Sequence, residues 1–474
     1  MKQSSILFLC LMLFGGLVDA QDAKPENSRP NIILIMTDDQ GWGDAAYNGH
    51  PYLQTPHLDQ MVREGVEFTR FYAASAVCSP TRASVMTGRH PERFGICTAN
   101  CGHLKPEEIS LAEMVRERGY TTGHFGKWHL GTLTRDTLDA NRGGKAKFAG
   151  DYAPPWDNGF DVAFVTESKV PTWDPMVTPP ASAMDTGKRQ PGTHFGTYYW
   201  TGPGAIETNN LDGDDSRIIM DRVIPFIDGA VAADRPFLSV IWFHSPHLPV
   251  LTGENYRALY EGLSEDQQEF YGCITAMDEQ IGRLRAHLAE LGVADNTLLF
   301  FTSDNGPEGK APDQRHAGQT YGLQGRKRSL HEGGIRVPGL MVWPERIAGG
   351  QVVNVPAYTS DYFPTIAHLL QVDLDRYDRP FDGRNILPLV EGTGEKMEER
   401  YLPFLFREQA AYIGTRYKIY RKDAAAAWQL FDLLDNPDET FDLAAEKPEL
   451  LERLQSEWER WEASVENSAA GKDY

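Results

Sequence analysis

Positive charge is scarce in this chain. Its 474 residues carry 46 Lys and Arg against 67 Asp and Glu, a formal net charge of −21. A phosphate backbone requires the opposite sign, so the balance argues against a nucleic-acid partner. An anionic substrate would have to meet cations gathered in one basic pocket on an acidic body. Cysteine is scarce as well, five in all, of which Cys78, Cys97, Cys101 and Cys273 follow the first segment. Cys97 and Cys101 are close enough to bridge, which an oxidising compartment permits. The alternative, a two-cysteine metal site, lacks histidine partners at zinc spacing apart from His103. Cys273 reads as a core residue. Beyond the amino-terminal segment no apolar run is long enough for a transmembrane helix, so no integral membrane segment is expected. Internal repeats and low-complexity tracts are absent too.

That first segment has its own grammar. Lys2 is followed by the apolar stretch Ile6–Phe14 and by Val18-Asp19-Ala20, an ending of small residues. This pattern predicts a signal peptide over residues 1–20, removed after Ala20, and an exported protein, periplasmic or secreted. Cys10 lies in the apolar stretch without small residues before it, which disfavours lipoprotein anchoring. The whole chain is 41 % hydrophobic with 10 Trp, which excludes global disorder and allows one large or two ordinary domains.

Three continuous apolar runs, 30–37, 236–243 and 297–303, have strand length. Strands apolar on both faces suit a parallel sheet covered by helices. Each run ends in chemistry: Asp38-Asp39, then His244-Ser245-Pro246-His247, then Asp304-Asn305-Gly306. Carboxyl ends of such strands are where open α/β sheets bind ligands. Adjacent carboxylates suit a hard cation, and also suit a plain helix cap and turn. Between these runs, 55–65, 110–119, 221–227 and 264–291 read as helices, 66–72 as a strand. In the segment 120–129, read as extended, Lys127 and His129 are two apart and would point to the same side. Residues 136–215 loosen into Gly, Pro and aromatics, a loop region long enough to be functional. Near 391–399 the composition marks a linker; beyond it 412–420 and 428–433 read as antiparallel strands and 447–466 as a final helix.

The stretch Ala76-Val77-Cys78-Ser79-Pro80-Thr81-Arg82-Ala83-Ser84-Val85-Met86-Thr87-Gly88-Arg89 organises the rest. Pro80 suits a first helical turn, which puts Cys78 at a helix N-terminus with Arg82 one turn on. Dipole and guanidinium both favour an anion there, thiolate or oxyanion ligand. Taken alone, Cys78 would read as a buried structural cysteine.

The whole string resembles the signature of the formylglycine-dependent sulfatases, Cys-x-Pro-x-Arg with Thr-Gly following. The block Gly119-Tyr120-Thr121-Thr122-Gly123-His124-Phe125-Gly126-Lys127-Trp128-His129 resembles that family's second signature. Gly325-Arg326-Lys327-Arg328-Ser329-Leu330-His331-Glu332-Gly333-Gly334 is similar to its third block, with Arg326 and Arg328 in place of small residues. The resemblance covers nearly the whole mature chain and implies an alkaline-phosphatase-like α/β fold. That fold has a large mixed, mostly parallel sheet with helices on both faces and a smaller C-terminal α+β subdomain. The implied division is a catalytic domain over 21–395 and a subdomain over 396–474.

The resemblance further implies sulfate-ester hydrolysis. Cys78, oxidised by a formylglycine-generating enzyme, would give an aldehyde whose hydrate attacks sulfur. Asp38, Asp39, Asp304 and Asn305, with the converted Cys78, would hold one Ca²⁺. Arg82, Lys127, Lys327 and His247 would neutralise sulfate, Asp304 would act as base on the nucleophile, and His129 would take the second proton. Protonation of the leaving alcohol falls to Lys327 or His247. His244 would line the pocket, and Trp156, Trp173 and Trp200 are candidate platforms for stacking a sugar. Export and these aromatics favour a sulfated carbohydrate; a small aryl sulfate is the alternative. Phosphodiesterase or phosphonate-hydrolase relatives of the superfamily carry Asp-His-Gly where this chain has Asp304-Asn305-Gly306, so Asn305 argues for a sulfatase. An inactive exported glycan-binding protein is the reading from another class.

Overall fold

The computed structural model describes residues 29–183, 189–309, 317–391 and 398–474. The expected signal peptide with Cys10, and most of the linker, lie outside the described residues. The sheet is mixed and mostly parallel, with helices on both faces, as expected, and it has ten strands. Its centre is five parallel strands in the order Thr297–Ser303, Asn31–Thr37, Phe237–Trp242, Thr121–Lys127, Val162–Thr166. Antiparallel Gly339–Val342 extends it on one side and the hairpin Trp200–Gly202 with Ala205–Ile206 on the other. Alternate residues of the central strand serve different cores. Ile32, Leu34 and Met36 face the helices Cys78–Thr87 and Tyr362–Leu369, whereas Ile33 and Ile35 face Asp215–Ala232 and Glu265–Glu290. A strand buried on both faces must be apolar at every position, which is why these runs have no alternation.

The helix Leu111–Arg116 starts with the capping box of Ser110 and Glu113, and Glu265–Glu290 with that of Ser264 and Gln267. Three readings need correction. Residues 66–72 form two strands, Val66–Phe68 and Phe71–Tyr72, in different sheets. They part at Arg70, whose guanidinium turns away to the carbonyls of Gly414 and Thr415. Residues 412–420 are not one strand but the turn of a hairpin, Gln409–Ile413 and Tyr417–Arg421. And the loose span 136–215 contains the central-sheet strand Val162–Thr166.

The C-terminal part is a four-stranded antiparallel sheet, Leu402–Phe406 through Gln429–Asp432, with the helix Pro448–Ala469 on one face. Its other face packs on Ala74, Ala76, Val77 and Leu330, directly beneath the start of the Cys78 helix. Lys418, fully buried, donates to the Leu330 carbonyl at 2.8 Å, Glu332 at 3.1 Å and Glu439 at 2.8 Å. Burial would raise the Glu439 carboxyl, but Lys418 and His331 outweigh it and hold it below the usual range. Lys418→Met strands two buried carboxylates, so it should destabilise folding by about 3–5 kcal/mol. Urea denaturation measures this, and a loss under about 1 kcal/mol would count against the clamp.

Candidate functional site

The strand ends converge because the central strands are parallel and adjacent. Asp38 and Asp39 follow Thr37, Asp304 and Asn305 follow Ser303, His247 follows the turn after Trp242, and Lys127 closes its own strand. The backbone ladder runs past the strand ends to fix them: Asp38 N donates to Ser245 O at 3.0 Å and Asp304 N to Thr37 O at 3.1 Å. Asp39 turns in the left-handed region, φ 70°, which aims its carboxylate at a different neighbour from Asp38.

Cys78 is the first residue of the helix Cys78–Thr87, which ends at Gly88 in the left-handed conformation with its N–H on Ser84 O. One turn on, Arg82 donates two hydrogen bonds to Asp304 Oδ2, at 2.6 and 3.1 Å, and lies 3.8 Å from Asp38. Lys127 Nζ is 2.7 Å from Asp38 Oδ2. Lys327 Nζ is 2.6 Å from Asp39 Oδ1 and 2.8 Å from Oδ2. Three carboxylates therefore face three cations in a nearly dry pocket, with Asp38, Arg82 and Asp304 all fully buried. Desolvation raises the cost of any unpaired charge here, so guests must arrive charge-compensated. For Asp38, burial is outweighed by the cations Lys127, Arg82 and Lys327, which hold it well below the carboxylate range. Asp304 is pushed up, by burial first and by Asp38 next.

Two oxygens in this cluster are orphans. Asp38 Oδ1 and Asn305 Oδ1 are buried with no hydrogen-bond partner among the described residues, although Asn305 Nδ2 donates to Asp39 Oδ1 at 2.7 Å. Ligand atoms of Asp38, Cys78 and Asp304 lie within 4.8 Å of one another, as do those of Asp38, Asp39 and His247. Unpartnered buried acceptors beside two further carboxylates form a donor set of hard oxygens, which fits Ca²⁺ or Mg²⁺ rather than zinc.

Cys78 departs from expectation. Its pKa is raised, by burial first, with Asp304 and Asp38 adding to burial against Lys127 and Lys327. The thiol is neutral despite the helix end, because burial outweighs the nearby cations. His129 is also not where an extended segment would place it: the strand ends at Lys127 and His129 has φ 58°. Its Nε2 faces Asn100 Oδ1 at 3.2 Å, while Nδ1 is buried and without a partner among the described residues. Burial first, then Lys127, Arg142 and Arg82, push its pKa well down, so the imidazole is neutral. His247 sits at the more open side, its Nδ1 on Leu248 O at 2.6 Å and Nε2 3.6 Å from Asp39 Oδ2. Burial lowers its pKa to about 3.

The basic triplet sorts itself. Lys327 alone enters the carboxylate cluster; Arg326 donates to the Glu308 carbonyl and Arg328 forms a two-point pair with the Glu308 carboxylate at 2.6 and 2.9 Å. Glu308, which the sequence reading passed over, lies 3.4 Å from Lys327 and only a few residues past Asp304. Its place beside a strand-end motif was the signal that could have found it. Asn100 had no such signal.

The remaining candidates diverge. His244 is fully buried, with Nδ1 on Asp215 Oδ2 and Nε2 on Thr166 Oγ1, both at 2.8 Å. Both ring nitrogens are used inside the core. Trp200 is 1 % exposed and donates to Asp139 Oδ2 at 2.8 Å, which leaves no ring face for a sugar. Trp156, half-buried, packs against the core, its Nε1 donating to the Tyr152 hydroxyl at 3.4 Å, on the connection that leads to the strand Val162–Thr166. Trp173 is half-buried beside Gly213 and Gly253, and its neighbour Thr172 bonds to the 249–251 segment that follows His247. It is the tryptophan of this group on the catalytic edge.

A family model described as Sulfatase matches residues 30–372. The chain is 32 % identical to the steryl-sulfatase of Mus musculus, over 88 % of this chain and 73 % of that protein. It is 31 % identical to the N-acetylgalactosamine-6-sulfatase of Canis lupus familiaris, over 81 % of this chain and 69 % of that protein. The crystal structure of Ps i-CgsB in complex with k-i-k-neocarrahexaose superposes with a TM-score of 0.76 at 25 % identity, covering 92 % of this chain and 94 % of that one.

Proposed function

The chain belongs to the sulfatase family and is a sulfate-ester hydrolase; from that premise we propose that it desulfates a carbohydrate, using a formylglycine made from Cys78 and one Ca²⁺. The observation that carries the reading is the buried cluster itself, three carboxylates and three cations around Cys78, with Asp38 Oδ1 and Asn305 Oδ1 lacking a hydrogen bond among the described residues. Asp38, Asp39, Asp304 and Asn305 would hold the ion. When present, the hydrated aldehyde would supply a nucleophilic hydroxyl and the ion positive charge beside it. Three carboxylates and three cations already balance, so a divalent ion would bring two positive charges, one of which a monoanionic sulfate ester offsets.

The protein's own groups do the rest. Arg82, Lys127 and Lys327 bind the sulfuryl oxygens in a dry pocket, where such contacts are strongest. Asp304, with its raised pKa, serves as base toward the nucleophile. His129 accepts a proton at its bare Nδ1 when sulfate departs. For the leaving alcohol, Lys327 is the better donor. His247 is neutral, and its Nδ1 proton is committed to Leu248 O, so its Nε2 has none to give. A formylglycine-generating enzyme must reach Cys78 before folding is complete, since the residue ends 2 % exposed.

Support for a sugar comes from relatives named for one, or crystallised with one. A panel of sulfated oligosaccharides, aryl sulfates and steryl sulfates tests it. The highest kcat/KM should fall on an oligosaccharide, and Trp173→Ala should lower it up to about tenfold by removing an aromatic contact, while sparing an aryl sulfate. A small aryl or steryl sulfate turned over best would overturn the carbohydrate assignment and leave the chemistry standing.

A further inference from the structure

Outside the carboxylate cluster, one surface loop reaches into the site. It runs from Cys97 to Gly102, and its Asn100 Oδ1 lies 3.2 Å from His129 Nε2 and accepts from Asn141 Nδ2, also at 3.2 Å. An oxygen facing both nitrogens requires that His129 Nε2 carry the proton, which leaves Nδ1 bare. The side chain that selects the tautomer stands on an unfavourable backbone. Asn100 has φ 62° and Gly102 has φ 67°, and a Cβ on Gly102 would come within 2.3 Å of Gly95 O. From the protein side the loop is held by Arg142, which donates to Gly102 O at 2.7 Å. At the surface its two ends meet at sulfur: Cys97 Sγ and Cys101 Sγ are 2.7 Å apart, and both residues are half-exposed.

We propose that Cys97 and Cys101 form a disulfide that clasps this loop, and that Asn100 is the positioning residue it holds against His129. The second half rests on the role given to His129 above; the first does not. In the bridging step two S–H bonds are lost and one S–S bond forms. Two protons and two electrons pass to a disulfide oxidant, protein or small molecule, which is reduced to two thiols. Closing the loop removes open conformations in which Asn100 would leave the imidazole and relax its backbone.

Differential alkylation with peptide mass analysis, on full-length protein produced in an oxidising compartment, tests the clasp without any activity assay. Cys97 and Cys101 should resist alkylation until a reductant is added. Free thiols at both positions in the native protein would overturn the clasp whether or not the protein is a sulfatase. Asn100→Ala should lower kcat about tenfold to a hundredfold at unchanged KM, because proton handling follows binding. Asn100→Asp, which keeps the acceptor oxygen, should recover most of the loss. The Cys97→Ser, Cys101→Ser double variant, and mild reduction of the unsubstituted protein, should lower kcat in the same way and add nothing to Asn100→Ala. A rise in KM at constant kcat, or fully additive losses, would overturn the positioning role. Absence of all sulfatase activity would refute the functional reading and leave the alkylation result to decide the clasp.

Discussion

Cys78→Ala should reduce sulfate-ester turnover by at least about 10⁴-fold, the order seen when a nucleophile that works in concert with its neighbours is removed. The fold should survive. Cys78 caps no hydrogen-bond network in the pocket, and losing one buried sulfur should move the melting temperature by less than about 3 °C. The buried thiol adds a second expectation. Burial and the carboxylates of Asp304 and Asp38 keep it neutral, and a neutral thiol is a poor nucleophile. Protein whose Cys78 stays unoxidised should therefore be as inactive as the alanine variant, and mass analysis of the peptide carrying residue 78 should track activity preparation by preparation. Near-normal turnover by Cys78→Ala, or full activity in a preparation with intact cysteine, would refute the mechanism and revive a binding-protein reading.

Exhaustive dialysis against a strong chelator should remove activity, by about 10³-fold or more, and Ca²⁺ should restore it. Zinc should substitute poorly, because the donors of Asp38, Asp39, Asp304 and Asn305 are oxygens. Stability should follow the metal: at a hundredfold excess over its dissociation constant a single ion stabilises the native state by about 2.7 kcal/mol, which a calcium-dependent melting temperature would reveal. Asn305→Ala should weaken that dependence, since it removes one orphan oxygen. Asp38→Asn should do the same and also leave Lys127 without its closest counter-charge. Full activity with no metal found by elemental analysis would refute the site.

Much of this pocket was legible because its residues follow apolar runs. Strand 297–303 was read to the residue, since a parallel strand buried on both faces is punctuated only by its polar ends. The same logic delivered Asp38, Asp39, Asp304 and Asn305. It failed where local sequence hides a tertiary decision. The turn between Ile413 and Tyr417 sits among β-favouring residues, and Arg416 is committed there to Asp432 and Asp435. Val162–Thr166 is a short strand whose Val, Phe and Thr favour extended structure, but glycine- and proline-rich stretches on both sides mask it. His244 and Trp200 carry polar handles that look available in sequence; Asp215, Thr166 and Asp139, all distant along the chain, take them inside. Asn100 acts through a turn whose conformation depends on contacts with residues 141 and 142.

The C-terminal sheet gives the protein a schedule. Its inner face packs under Val77, and Gln409 and Lys418 bond to the backbone of Arg328 and Leu330, just after Lys327 in the chain. Glu439 completes that junction by accepting from the backbone N–H of Glu332. A ribosome makes these residues more than 300 positions after Cys78, so the floor beneath Cys78 and the brace behind Lys327 are missing while the catalytic core is being synthesised. The delay leaves an interval in which residue 78 is synthesised but not yet sealed, and the late arrival of Lys418 and Glu439 closes it. On the mechanism proposed above, the sheet would time maturation: a version that folded onto the body too early would lock in an unoxidised, inert centre.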